Sequence, residues 1–210
     1  MTHPLQAFLD CFPPDNMADE RRTDGKSTVG GARSASADLL ERFRGVLPES
    51  LLRLWAGPGL GWYGDGLIQL VNPLEYLDTL AGWLKRDLSD LSRVPVALTA
   101  FGKLVYYRRL GEDTEDVSVI DPHRPGGGAE VLAWSFDDSF NEVLCDPEVQ
   151  EDTLDRELAG QAALRLGRLE QNEMFFYVPA LMLGGDDDLQ SVAKGNAPVH
   201  LDLLLQLALG

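Results

Sequence analysis

The sequence has only two cysteines, Cys11 and Cys145, and they lie far apart in the chain. They form no C-x-x-C spacing and make no disulfide framework, a pattern that suits a reducing compartment. The three histidines, His3, His123 and His200, stand alone. Without a spaced carboxylate–His cluster, no metal site is expected. Long apolar runs are missing too. The longest, near residues 174–185, is interrupted by Pro179, and a bilayer span needs about 20 residues. Residues 1–12 have no basic start, and Asp10 breaks their apolar character, so no secretory leader is expected. Together these absences predict a soluble, cytoplasmic protein with no membrane contact. Basic charge is also scarce, with 18 Lys and Arg against 34 Asp and Glu and a net charge of −16. Phosphate binding needs cations, so direct nucleic-acid binding is not expected.

The negative charge is concentrated in one place. Residues 111–160 carry fifteen acidic side chains against two basic ones, Arg124 and Arg156, whereas residues 1–110 are balanced at thirteen of each. Such asymmetry bears on partners and association rate, not on fold. Two readings follow. The stretch is either a solvated surface that maintains solubility or a surface that meets something basic. On charge alone the solvating reading is the simpler one.

What the sequence does have is a core's worth of apolar residues, 44%, punctuated by 21 Gly and 12 Pro. That composition argues for many turns and against a long-helix protein. Residues 13–36 are polar and read as a loop, set between a short apolar segment (Leu5, Phe8, Leu9) and the body. From Ala37 the spacing of Leu39, Leu40, Phe43, Val46 and Leu47 predicts a helix. Pro48 opens another, which Gly57 ends. Residues 57–66 read as a turn-rich connection and 67–71 as a strand. Asn72-Pro73-Leu74-Glu75 is a helix start, predicting a helix over 73–88. Segments 94–100, 103–110, 117–121 and 130–134 predict an antiparallel meander, with Glu112, Asp113, Glu115 and Asp116 in one of its connections and Pro125-Gly126-Gly127-Gly128 in another. Asp137 and Asp138 start a helix to about residue 144, and Asp146-Pro147 starts one to about 167. Its acidic face holds Glu148, Glu151, Asp152 and Asp155. Residues 173–178 predict a last strand, 184–188 a turn and 198–209 a final helix. The expected fold class is α+β: a central, largely antiparallel sheet flanked by helices, two regions packed into one compact body. The expected divisions are an N-terminal extension, 1–36, a first region, 37–92, and a C-terminal region, 93–210.

Motifs that would carry chemistry fail on context. Gly59-x-Gly61-x-x-Gly64 spells the dinucleotide fingerprint, but a helix precedes it and a strand follows, the reverse of what pyrophosphate binding needs. Glycines at a sharp turn are the better reading. Gly25-Lys26-Ser27-Thr28 resembles the end of a P-loop, but Glu20 stands where the motif needs Gly. A Cys145–His123 nucleophilic pair is chemically conceivable, yet Cys145 follows Val143 and Leu144 and reads as a core residue. Asp186-Asp187-Asp188 lacks the spaced ligands of a calcium loop and reads as a solvated loop or as contact with a basic partner. Trp62 and Tyr63 read as core lids or as interface anchors, with core favoured. No catalytic residue, no metal and no cofactor are expected.

Three stretches together carry a resemblance. The first runs from Leu47-Pro48-Glu49-Ser50-Leu51-Leu52-Arg53-Leu54-Trp55 through Gly61-Trp62-Tyr63-Gly64-Asp65-Gly66 to Val71-Asn72-Pro73-Leu74-Glu75-Tyr76. The second is Val94-Pro95-Val96-Ala97-Leu98-Thr99-Ala100-Phe101-Gly102. The third comprises Leu169 and Glu173-Met174-Phe175-Phe176-Tyr177-Val178-Pro179-Ala180-Leu181-Met182-Leu183-Gly184-Gly185. Over residues 38–210 the chain resembles a bacterial GAD-like domain followed by the C-terminal domain of type VI secretion immunity proteins. Phe176 is a departure, because the family pattern has a small residue or glycine near it. The resemblance implies a protein that binds and neutralises a cognate antibacterial toxin, expected to be a DNase, by direct association. It implies no catalytic residues.

With that resemblance, the acidic stretch reads as a mimic of the phosphates that a basic nuclease groove binds. The candidate toxin-contacting residues are Glu112, Asp113, Glu115, Asp116, Asp137, Asp138, Glu148, Glu151, Asp152, Asp155, Asp186, Asp187, Asp188, Trp62 and Tyr63. The alternatives are an acidic cytosolic interaction or regulatory module unrelated to toxins, and an enzyme acting through Asp65, His123 or Cys145, which no motif supports.

Overall fold

The computed structural model describes residues 2–15, 31–87, 90–124 and 128–209. The polar stretch 16–30, with its Gly25–Thr28 motif, and residues 125–127 of the glycine turn lie outside the described residues.

The chain enters through α1 (Gln6–Cys11), α2 (Ala37–Phe43) and α3 (Glu49–Ala56). Ser36 caps α2 by accepting from the Leu39 N–H, satisfying one of the free donors of a helix start. Residues 57–66, expected to be a turn-rich connection, contain a strand, β1 (Gly61–Tyr63), which pairs with β2 (Ile68–Leu70). Its glycines serve close approach. A Cβ on Gly59 would stand 2.0 Å from the backbone of Arg33, which bridges to Leu60 there.

The predicted helix over 73–88 is shorter and broken. Asn72 and Pro73 open a 3₁₀ turn (Pro73–Glu75), and α4 (Leu77–Leu84) follows, ending where Lys85 turns left-handed. The expected cap is present: the Asn72 side chain accepts from the Leu74 N–H and donates to Glu75 Oε1 at 3.3 Å.

The meander then forms as expected, with β3 (Arg93–Thr99), β4 (Leu104–Arg109), β5 (Glu115–Ile120) and β6 (Ala129–Ala133). With β1 and β2 it makes one antiparallel six-stranded sheet in chain order. The tight turn after β3 relies on Gly102, whose φ is +76° and where a Cβ would meet the Met174 methyl at 2.1 Å.

Next come α5 (Phe136–Asp138), a π-helical turn (Ser139–Val143), α6 (Pro147–Asp152) and α7 (Arg156–Leu166). The expected single helix over 146–167 is therefore two. It breaks at Asp155, held in the left-handed region at φ 53° and tied to Lys103 Nζ at 2.8 Å. Strand β7 (Glu173–Tyr177) is not the last. It pairs with β8 (Val192–Asn196), and α8 (Ala197–Leu209) closes the described chain.

The sheet is the middle layer, which is why strands β3 to β5 are apolar on both faces. Along β4 the side chains alternate. Val105 and Tyr107 point into the larger core with Phe8, Phe43, Trp55 and Phe136, while Leu104 and Tyr106 point into a second core with Tyr76, Leu80, Leu201 and Leu204 of α4 and α8. Residues 2–15 belong to the larger core: Leu5, Phe8 and Phe12 are buried, and Phe8 packs on Phe140 with ring centres 5.0 Å apart. The fold is α+β, a central antiparallel sheet flanked by helices, as expected.

Candidate protein-binding surface

The acidic candidates divide by what their carboxylates touch. Glu115 and Asp116 lie in β5, not in the preceding loop. Asp116 is fully buried and held by both arms of the Arg108 guanidinium, with the Nε bond at 2.7 Å, and by Ser118 Oγ at 3.0 Å. A carboxylate held this way is part of the fold, because truncating it would strand the arginine. Glu115 is half-buried. It accepts from the Tyr107 hydroxyl at 2.8 Å and from the Phe136 N–H at 2.9 Å.

Asp155 is also partly buried. Burial pushes its carboxyl above the ordinary range, and the Lys103 ammonium opposes that shift. Burial, reinforced by the nearby carboxylates of Asp155, Asp187 and Asp121, pushes the Tyr177 phenol well above its ordinary value. Asp121 is itself paired, with Arg124 at 3.2 Å.

The remaining acids are exposed. Glu112, Asp113, Asp138, Glu148, Asp152, Asp186 and Asp187 make no side-chain hydrogen bond or ion pair among the described residues. Asp137 accepts from the Ser50 hydroxyl, Glu151 from the Glu157 N–H at 3.3 Å and Asp188 from the Ser191 N–H at 2.9 Å. All three are exposed. Solvated carboxylates of this kind set the field an approaching partner meets.

Trp62 and Tyr63 are core residues, 1% and 0% exposed. The Trp62 indole N–H donates to Glu170 O at 2.9 Å and the Tyr63 hydroxyl to Gly59 O at 2.6 Å. Burial pushes the Tyr63 phenol upward. The exposed indole is a different one, Trp134 at 68%, which follows β6 directly. A single tryptophan at the end of a short strand carries no sequence mark of exposure. Only the position of β6 at the sheet's edge reveals it.

His123 and Cys145 have different surroundings. His123 Nε2 lies 2.7 Å from Phe101 O and its ring packs edge-on to Tyr177. Burial holds its pKa below the usual imidazole value. Cys145 Sγ sits 3.6 Å from Ala7 O and beside Cys11, both thiols being free. Burial, then hydrogen bonding with Cys11, pushes the Cys145 thiol up to about 12. His200 stacks on Phe176 with ring centres 3.6 Å apart, and burial pulls its pKa down to about 4. Gly195 and His200 together accommodate the large Phe176 ring. Among the described residues no group of three or more His, Cys, Asp and Glu is placed to hold a metal ion. No helix among them is long and apolar enough to cross a membrane.

The crystal structure of Atu4351 from Agrobacterium tumefaciens is similar to this chain, with a TM-score of 0.68 and 18% identity, over 96% of this chain and 88% of that one. At that identity the likeness concerns the fold alone. No curated protein matches the chain. Two family models do: residues 25–120 match the GAD-like domain and residues 137–208 match the T6SS immunity protein Tdi1, C-terminal. The chain is thus similar in its first part to the GAD-like domain and in its last part to the C-terminal domain of the T6SS immunity protein Tdi1.

Proposed function

We propose that this protein is a non-enzymatic immunity protein that acts in the cytoplasm, where it binds and neutralises a cognate type VI secretion toxin, a DNase, by direct association. The observation that carries the reading is the ordered pair of family matches, GAD-like then Tdi1 C-terminal. The exposed carboxylates support the nuclease part. A DNase must present a basic groove to phosphates. An acidic surface is drawn to that groove, and steering raises the capture rate toward roughly 10⁸ M⁻¹s⁻¹ at low salt. Speed suits the task, because free toxin cuts the chromosome.

The burial pattern refines the contact set. Asp116, Trp62 and Tyr63 serve the fold, whereas Glu112, Asp113, Asp137, Asp138, Glu148, Glu151, Asp152 and Asp186–Asp188 face solvent. The test is co-expression with the cognate type VI secretion toxin. Cells carrying both survive while cells carrying the toxin alone die with fragmented DNA. Equal killing in both cases defeats the reading. Protection without any loss of chromosome integrity in the toxin-only cells keeps the immunity role and removes the DNase.

A further inference from the structure

Steering by carboxylates gives rate, but a stable complex also needs a desolvated anchor. The chain has four tryptophans, and three are core: Trp55, Trp62 and Trp83 are at most 9% exposed. Trp134 is 68% exposed. An exposed indole is unusual unless something covers it, since burying an aromatic of this size is strongly favourable.

Its setting is a sheet edge. Strand β6 is the last strand in the order and pairs only with β5 among the described residues. The opposite edge strand, β1, is closed by bridges from Pro14 and Arg33. Among the described residues no strand or bridge pairs with the outer side of β6, and an unpaired edge is where another chain can add hydrogen bonds.

The frame around Trp134 is acidic. The register Val117↔Ala133 and the bond from Phe136 N–H to Glu115 place the β4–β5 loop, with exposed Glu112 and Asp113, beside the Trp134–Phe136 turn. Asp137 and Asp138 follow on the other side, both exposed. The nearest cation on β4, Arg109, is folded back onto the carbonyls of Gly45 and Val46, with the first bond at 2.7 Å. A partner that covered this place without cations would bury carboxylates without compensation, which is costly. The occupant must therefore be basic at its rim and apolar at its centre.

Resting on the toxin reading above, we propose that Trp134 is the anchor of the docking surface. It inserts into an apolar recess of the basic toxin, while Glu112, Asp113, Asp137 and Asp138 pair with the toxin's lysines and arginines. The exposed aliphatic stripe of α8 (Val199, Leu203, Leu207) supplies the internal control. It carries one carboxylate, Asp202, against the four exposed ones named near Trp134, so it lacks an acidic frame.

The test is titration of the purified cognate toxin with wild type, Trp134→Ala, Trp134→Phe, the double variant Asp137→Asn/Asp138→Asn, and Leu203→Ser. Trp134→Ala is expected to weaken binding about 30-fold or more, the loss typical of a central interface aromatic, and Trp134→Phe less. The aspartate pair is expected to slow association and flatten its salt dependence. Leu203→Ser is expected to bind as wild type does. Acrylamide quenching provides a readout of placement: toxin should shield one exposed indole in wild type, and that shielding should be missing in Trp134→Phe. Tight binding by wild type with unchanged affinity in Trp134→Ala overturns the anchor and leaves the immunity reading standing. A loss confined to Leu203→Ser overturns it likewise, in favour of α8. No binding by wild type overturns both.

Discussion

At one edge of the sheet Trp62 of β1 is 1% exposed, hydrogen-bonded through its indole to Glu170, and covered by segments from Pro14 and Arg33. At the other edge Trp134 beyond β6 is 68% exposed, and among the described residues no strand or bridge pairs with the outer side of β6. The same residue type at two ends of one sheet thus has opposite fates. Cover decides the difference. The β1 edge is sealed by a chain segment made to fit, since Gly59 and Gly61 let the backbone of residues 32–33 approach closer than any side chain would allow. The β6 edge is left to charge, with Glu130 on the strand and acids on both neighbouring turns. Inward apolar closure stabilises a fold, and an open edge with charge serves solubility or a partner.

Substitutions should break this contrast in proportion to burial. Trp62→Ala removes a buried indole and leaves Glu170 O without its donor. It is expected to lower unfolding free energy by about 4 kcal/mol, seen as a large drop in the urea midpoint. Asp116→Ala strands Arg108 and is expected to lower stability by about 3 kcal/mol; Asp116→Asn, which keeps the Ser118 bond, costs less. Equal stability in Asp116→Ala and wild type would return that carboxylate to the surface set.

Acid should produce a smaller, graded loss. His200 has a folded pKa of about 4, below its unfolded value of about 6.5. The unfolded chain therefore binds the proton first as pH falls. Stability from neutral His200 is fully present above the unfolded pKa and is lost as pH drops from about 6.5 through about 4. His123 is shifted the same way by burial. Melting temperatures at pH 7 and pH 4.5 should converge in His200→Phe relative to wild type. An unchanged pH dependence in that variant would refute the assignment. The smallest change is expected from Trp134→Ala, within about 0.5 kcal/mol of wild type. A loss of several kcal/mol there would mean that the indole is packed and the two edges are alike.

Local signals predicted most of the elements. The caps at Asn72 and Asp146 are real, each side-chain oxygen accepting from the N–H two residues on. The meander strands appear within about two residues of their expected bounds, because β-branched and aromatic runs flanked by turns have few other conformations. Where the reading departed, a distant contact intervened. β1 hides among glycines because the backbone that covers its outer side, at Pro14 and Arg33, is remote in sequence. The helix over 146–167 breaks at Asp155, which is held by Lys103 from another part of the chain. β8, with Lys194, Gly195 and Asn196, has weak strand character and exists because β7 needs a partner. Glu115 and Asp116 looked like loop acids because charge and flanking Gly111 mark a loop; their pairing with β4 lies beyond local pattern.

The candidate surface was legible in kind and not in detail. Composition alone determined that the chain is strongly acidic and that the charge is gathered between residues 111 and 160. The order of motifs carried the resemblance to a GAD-like domain followed by an immunity-protein C-terminal domain. Neither could say which carboxylates are free, because a buried and an exposed aspartate are spelled alike; they differ only in what the fold brings within hydrogen-bonding distance. Nor could they tell Trp62 from Trp134. The tertiary structure decided that by placing both at sheet edges and covering one, since exposure depends on packing between segments far apart in the chain.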